Sequence, residues 1–246
     1  MQRGCSCIIP FHNEGQRVLD TVGKIQKIRP ITKIICVDDG SDDDSAIKLA
    51  EKYPKICIVR LAKNQGKAAA IQAGLKQVTT SHVMMFDADL IGLKPAECER
   101  GINYVLGHQD VDMLVFRQEN SFIVTKLAGA CVSYSGQRVL KTRLLRDVFT
   151  KKVKGYQIEA AINQLCIDKK KKVYWTKLSA TNTRKVEKVG FIKGLTKELQ
   201  MTKETLYIGI PGYLKQATFF IDKRIPEEKL SCKIKKLTRD LLKETN

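Results

Sequence analysis

Asp87-Ala88-Asp89 closes the strand-like run from His82 to Phe86. Two carboxylates spaced i and i+2 thus stand at the mouth of what reads as a buried parallel strand, where open α/β sheets bind ligands. Carboxylate oxygens are hard donors that suit Mg or Mn. A divalent cation held there neutralises a diphosphate and stabilises the charge that builds as it departs. Asp-x-Asp alone also describes a solvated turn, and three other segments decide between the two. One strand runs out into Ile9-Pro10-Phe11-His12-Asn13-Glu14, a second into Val37-Asp38-Asp39-Gly40-Ser41, and a third leads to Asn64-Gln65-Gly66-Lys67. In a parallel sheet these ends share one edge and converge on one crevice.

The elements that must position them are legible in the first 120 residues. Apolar strands at Cys5–Pro10, Lys33–Val37, Ile56–Leu61, His82–Phe86 and Met113–Phe116 alternate with helical patterns, which predicts a parallel sheet with right-handed crossovers. Val18, Leu19, Val22 and Ile25 form one helical stripe, and Pro95 opens a helix with Glu97 and Glu99 following. After Arg117 the pattern loosens through Val132 to Gly136, then predicts a helix around Glu159 to Cys166. An exposed turn at Lys169 to Lys172 should precede a strand at Val173 to Lys177.

The 246 residues carry a net charge of +18. Residues 1–120 hold 16 Lys and Arg against 15 Asp and Glu, whereas residues 121–246 hold 28 against 11. The basic excess therefore belongs to the second half, where it either attracts anionic partners or simply solvates the surface. No run of about 18 apolar residues occurs and no signal peptide fits, so a cytoplasmic protein without a membrane span is expected. Thr205 to Ile221 contains Lys215 as its only charge and either packs on the core or lies in a membrane interface. Leu230, Ile234, Leu237 and Leu241 follow on one stripe with lysines and Arg239 off it, a basic amphipathic pattern suited to a peripheral membrane contact or to docking on its own domain. The eight cysteines lack metal spacing and read as reduced, buried thiols. Nucleic-acid binding has only charge in its favour, because no helix-turn-helix, zinc or RNA-recognition pattern accompanies it.

Each candidate has a structural alternative. Asp39 can accept hydrogen bonds from a base, with Gly40 turning the backbone close to it, or Asp38 and Asp39 can cap the helix beginning near Ser45. Lys67 at a helix start suits a phosphate or ribose, or is a solvated lysine. Glu159 can be a base for a hydroxyl acceptor or a helix-start carboxylate; a phosphate acceptor, already anionic, needs no base.

The segments Ile9-Pro10-Phe11-His12-Asn13-Glu14, Val37 to Asp43 and Asp87 to Asp89 resemble the nucleotide-sugar transferases of glycosyltransferase family 2, over about half the chain. The resemblance implies an α/β protein of GT-A fold, Rossmann-like, with a mainly parallel central sheet flanked by helices. It places Pro10, His12, Glu14, Val37 and Asp39 in the nucleoside pocket, Asp87 and Ala88 beside the donor, and the Mg or Mn ion on Asp89 with Asp87 in support. His12 stands where the family usually has Tyr. Inversion at the anomeric carbon by one in-line displacement is also implied. Processive polysaccharide synthases carry a Gln-x-x-Arg-Trp segment, and the single Trp here, Trp175, lies in Val173-Tyr174-Trp175-Thr176.

A closer resemblance is to polyprenyl-phosphate glycosyltransferases, the dolichyl-phosphate mannose synthases among them. It rests on Ser135-Gly136-Gln137-Arg138-Val139-Leu140-Lys141, on Val115-Phe116-Arg117 and on the region from Gly155. It implies that Arg117 contacts a diphosphate or lipid phosphate, and that Arg184 or Lys188 closes over the donor phosphates. The partners implied are a nucleotide-diphosphate sugar and a polyprenyl phosphate or saccharide acceptor at the cytoplasmic membrane face. Residues 1–120 would bind the donor, residues 121–204 the acceptor, and residues 205–246 would form the basic amphipathic segment.

Overall fold

The computed structural model describes residues 1–118, 132, 135–151, 153–155, 157–182, 209–226 and 229. Seven strands form the main sheet: β1 (Gln2–Phe11), β2 (Ile31–Asp38), β3 (Cys57–Arg60), β4 (Thr80–Met85), β6 (Met113–Gln118), β7 (Arg138–Lys141) and β8 (Val173–Leu178). Their order is β3-β2-β1-β4-β7-β6-β8. Every neighbour pair is parallel except those of β7, which runs antiparallel to both β4 and β6. The strands around β7 therefore still end on one edge. Two short strands, β5 (Leu90–Ile91) and β9 (Thr181–Asn182), pair antiparallel above it.

Cys5 to Ile9 are all fully buried, because helices cover both faces of the sheet; the run is apolar except for Ser6, whose hydroxyl pairs with that of Thr80 at 2.8 Å. On one face α1 (Gln16–Ile25), α2 (Ser45–Lys52) and α4 (Pro95–Gly107) contribute Val22, Leu49 and Ile102 to a core with Cys7, Ile9 and Phe116. On the other, α3 (Lys67–Leu75), α5 (Thr142–Val148) and α6 (Gln157–Asp168) bring Ile71, Leu144 and Ile158 against Ile8, Val37 and Val115. The expected stripe of α1 is buried, and Pro95 stands at the start of α4. The described cysteines are free thiols, all buried except half-buried Cys57.

The described part of the Thr205–Ile221 segment is helix α7 (Gly209–Phe219), which packs on α6. Gln216 and Phe220 are buried there, while Leu214 and Ile221 face solvent. The Phe220 carbonyl accepts the Trp175 indole N–H at 2.8 Å, and Trp175 and Arg224 form a parallel bridge along the outer edge of β8. The stripe from Leu230 to Leu241 lies outside the described residues. No described helix is long and apolar enough to cross a membrane.

His82 in β4 supplies a pH-dependent contribution to stability. Burial, with Lys141 and Arg3 nearby, pushes its pKa down to about 4, so the imidazole folds neutral and its Nδ1 pairs with the Ser81 hydroxyl at 2.9 Å. In the unfolded chain His titrates near 6.5. The contribution is therefore complete above about pH 6.5 and is lost as the pH falls toward 4, on the order of 1–3 kcal/mol. Urea midpoints of His82→Gln and the parent should differ in their slope across this window; parallel curves would refute the assignment.

Candidate active site

The ends of β1 and β2 are laced together. Asn13, at a positive φ of 53°, accepts the Asp42 amide on its side-chain oxygen at 2.9 Å and donates its own backbone N–H to the Ser41 hydroxyl at 3.0 Å. Gly40 has φ of +70°, and a Cβ there would lie 2.5–2.7 Å from the backbone of Lys63 and Asn64. Only glycine permits both the turn and that crossing.

The start of α2 is secured by Asp43, which accepts the Ser45 N–H at 3.1 Å and its hydroxyl at 2.7 Å. Burial works against the charge on Asp43, yet the bonds from Ser45 and Gly15 and the proximity of His12 hold its carboxyl below the usual range. The capping alternative for Asp38 and Asp39 is thereby corrected. Asp38 instead accepts the Ser41 amide at 2.8 Å and pairs with Arg60 at 3.2 Å. Asp39 takes the amides of Gln65 and Gly66, one on each oxygen, both at 2.8 Å. It therefore ties the end of β2 to the loop that introduces Lys67, and two of its roughly four acceptor positions remain.

Pro10 and Val37 are register partners across β1 and β2. His12 is half-buried at the rim, and Glu14 holds Arg17 at 2.8 Å.

At the end of β4 the structure converges. Asp87 accepts the Lys67 ammonium on Oδ1 at 2.7 Å, and on Oδ2 the amides of Gln137 at 2.6 Å and Asn182 at 3.0 Å. The same Asn182 amide reaches Asp89 Oδ1 at 2.8 Å. Its position follows from the β5–β9 pairing, which sets Asn182 opposite Leu90, next to Asp89. Between the two carboxylates the Ala88 carbonyl accepts the buried Thr21 hydroxyl of α1 at 3.0 Å. Lys67 also pairs with Glu159 of α6 at 2.8 Å. Burial opposes the ammonium charge, but Asp87 and Glu159 outweigh it and raise its pKa above that of a free lysine. Burial likewise penalises the Asp87 carboxylate, and Lys67, Asn182 and Gln137 still hold its pKa below the ordinary value.

Gln137 reaches Asp87 from a turn fastened at several points. The Ser135 hydroxyl donates to the Phe116 carbonyl at 2.6 Å, and the Ser135 carbonyl accepts Arg138 Nε at 3.0 Å and Nη2 at 2.6 Å. Arg138 is fully buried. Its Nη1 donates to Asn163 Oδ1 at 3.0 Å, Asn163 donates to Gln216 Oε1 at 3.3 Å, and Gln216 donates to the Ala160 carbonyl at 3.0 Å. Gln118 adds a further side-chain bond to Asn182 and another to Gln137. Neither Gln118 nor a role for Gln137 and Asn182 is legible in the sequence, because neutral amides have no spacing signature and only the β7 reversal and the β5–β9 pair bring them here.

The donor set fits a divalent ion bound jointly with a diphosphate: such ions take one or two carboxylates and draw their other oxygens from phosphate and water. Asp89 would hold it directly and Asp87 in support. Arg117 is on the face of β6 opposite Gln118, its guanidinium 4.6 Å over the Trp175 ring. Arg184 and Lys188 lie outside the described residues.

The sequence pattern of Glycosyl transferase family 2 matches residues 6–146. The chain belongs to this family. An uncharacterized glycosyltransferase, YaiP, of Escherichia coli K12 is 32% identical over 118 residues, 43% of this chain and 30% of that protein. An undecaprenyl-phosphate 4-deoxy-4-formamido-L-arabinose transferase of Pectobacterium atrosepticum is 32% identical over 139 residues, 53% of this chain and 42% of that protein. The chain thus spans less than half the length of these curated relatives. Among solved structures, glucosyl-3-phosphoglycerate synthase from Mycobacterium tuberculosis, in complex with Mn2+, UDP and glucosyl-3-phosphoglycerate, superposes with a TM-score of 0.68 at 16% identity, covering 88% of this chain and 80% of that one. The fold is GT-A, as the residues up to Asp89 imply.

In this family 2 chain Gly136 carries a specific expectation. A Cβ at 136 would stand 2.7 Å from the Lys67 ammonium and 2.8 Å from both Asp87 oxygens. Gly136→Ala should displace that pair and lower turnover by about 10–100-fold, with a stability loss of only about 1–3 kcal/mol. Steady-state transfer rates and a thermal melt check both; unchanged turnover refutes it.

Proposed function

We propose that this protein is an inverting, metal-dependent glycosyltransferase that moves one sugar from a nucleotide-diphosphate sugar to a polyprenyl phosphate at the cytoplasmic face of a membrane. The observation that carries the choice of acceptor is the Lys67–Glu159 pair, 2.8 Å long. Glu159 is committed to an ammonium, so it serves Lys67 rather than a substrate hydroxyl. A phosphate acceptor is already a nucleophile and needs no base. The undecaprenyl-phosphate transferase among the relatives and the basic second half support the same choice.

In this reading Pro10, His12 and Val37 wall the nucleoside, Glu14 closes the rim, and Asp39 accepts a base N–H on its remaining lone pairs. Asp87 and Asp89 face the diphosphate, with Ala88 holding them at the right separation. When bound on Asp89, Mg or Mn supplies charge stabilisation for the departing diphosphate. The acceptor phosphate oxygen forms its bond to the anomeric carbon as the carbon–oxygen bond to the diphosphate breaks, and the nucleoside diphosphate leaves with that electron pair. Arg117, whose guanidinium lies 4.6 Å over the Trp175 ring, is the side chain assigned to the acceptor phosphate in this reading.

A saccharide or other hydroxyl acceptor is the second reading, favoured by the glucosyl-3-phosphoglycerate bound in the structural neighbour. Incubation with radiolabelled nucleotide sugars and short-chain polyprenyl phosphates, followed by lipid extraction, separates the two. Label in the organic phase is expected. Label that stays aqueous across a donor panel while a hydroxyl acceptor is modified would reject the lipid acceptor.

A further inference from the structure

Lys67 occupies an unusual position for a residue expected to meet a phosphate. Its ammonium sits between two carboxylates from different elements, 2.7 Å from Asp87 and 2.8 Å from Glu159. All three side chains are largely buried, with relative exposures of 16% for Lys67, 21% for Asp87 and 5% for Glu159. The absence of a side chain at Gly136 leaves room for the pair. The other Asp87 oxygen already accepts Gln137 and Asn182. A cation is therefore resident where a divalent ion would otherwise be drawn, and both Asp87 oxygens already accept donors.

A divalent ion arriving alone meets Asp89 and a carboxylate already neutralised by Lys67. To use Asp87 it must displace an ammonium that Glu159 keeps close by, at 2.8 Å, and that would then repel it. A diphosphate changes this balance. It offers oxygens to the metal, so that Asp89 need supply only part of the coordination, and it offers the ammonium acceptors that replace Asp87.

We propose that Lys67, clamped by Glu159, is a built-in counter-cation that holds the divalent ion off Asp87 until a nucleoside diphosphate arrives, making metal entry conditional on the nucleotide. Glu159 is then a positioning residue that acts through Lys67. The inference rests on the nucleotide-sugar reading for the identity of the diphosphate. Its first part, exclusion of metal by Lys67, stands on the ion pairs alone.

The test is Mn2+ binding to the full chain, read by the loss of the free-ion electron paramagnetic resonance signal, with and without UDP or GDP. The parent is expected to bind Mn2+ weakly alone and at least about tenfold more tightly with the matching nucleotide. Lys67→Met is expected to bind Mn2+ alone at least about tenfold more tightly than the parent, because Asp87 and Glu159 are released to it. Lys67→Met combined with Glu159→Gln should keep part of that gain, because Asp87 stays released from the ammonium. Lys67→Gln, which keeps a polar group in the same space, provides a second variant if the first fails to fold. Mn2+ binding alone that is no tighter in either Lys67 variant than in the parent overturns the proposal, whichever nucleotide binds. A gain in those variants with no nucleotide effect in any protein supports the exclusion role and rejects the nucleotide-sugar reading instead.

Discussion

Asp89→Asn is expected to lower sugar transfer by about 10²–10⁴-fold while the protein melts within a few degrees of the parent. The asparagine keeps the size of the side chain and an oxygen able to accept the Asn182 amide that now reaches Asp89 at 2.8 Å. The packing around it is thus spared, and what disappears is the negative charge that would hold a divalent ion against the donor diphosphate. Asp87→Asn makes the contrast. It removes the partner of Lys67 at 2.7 Å and leaves the ammonium with Glu159 alone, so it should cost both turnover and stability. Initial rates with excess Mn2+, set beside thermal midpoints, separate the two. Transfer by Asp89→Asn at the parental rate, or insensitivity of the parent to EDTA, would remove the metal from the mechanism.

The second large effect is expected on stability. Arg138→Met fills a similar volume, yet it strips the Ser135 carbonyl and Asn163 Oδ1 of their donors in a site from which water is excluded. Each buried polar atom left unmade costs about 1–3 kcal/mol, so a total near 4 kcal/mol and a fall in Tm of roughly 10 °C are expected. Removing the buried charge itself returns something, since burial lowers the pKa of Arg138; the loss of geometry outweighs it because the guanidinium fork serves two acceptors at once. Arg138→Lys should recover little, since an ammonium cannot span Ser135 and Asn163 together. Turnover should fall as well, because the same carbonyl steadies the turn that aims Gln137 at Asp87. A variant as stable as the parent would show that Asn163 and Gln216 satisfy each other without it.

The parallel half of the fold was legible because its strands are enclosed on both faces and read as continuous apolar runs. Cys5 to Ile9 could hardly be anything else, and the carboxylates at Asp39, Asp87 and Asp89 then fall on one edge by topology. Strand β7 was hidden for the opposite reason. Its four residues, Arg138 to Lys141, contain two cations, and only the fork on Ser135 and Asn163 makes Arg138 a buried residue. The partners of Lys67 were equally out of reach, since Asp87 and Glu159 lie 20 and 92 positions away and meet it only when α3 and α6 flank the same strand end. The Ser45 amide is taken by Asp43 rather than by Asp38 or Asp39, because a side chain two positions upstream reaches it with the least distortion.

The reversal at β7 has a mechanical consequence. The sheet joins β4 to β6 only through this strand, by four register pairs on one side, His82 to Met85, and three on the other, Met113 to Val115. By contrast β1 and β2 share seven. Under a stretching force applied across the strands, the rupture should start at the three-pair β6–β7 side of this seam and leave β2, β1 and β4 together. The amides of Val139 and Leu140 would then exchange with deuterium before those of Ile8 and Ile9, although all four residues are fully buried.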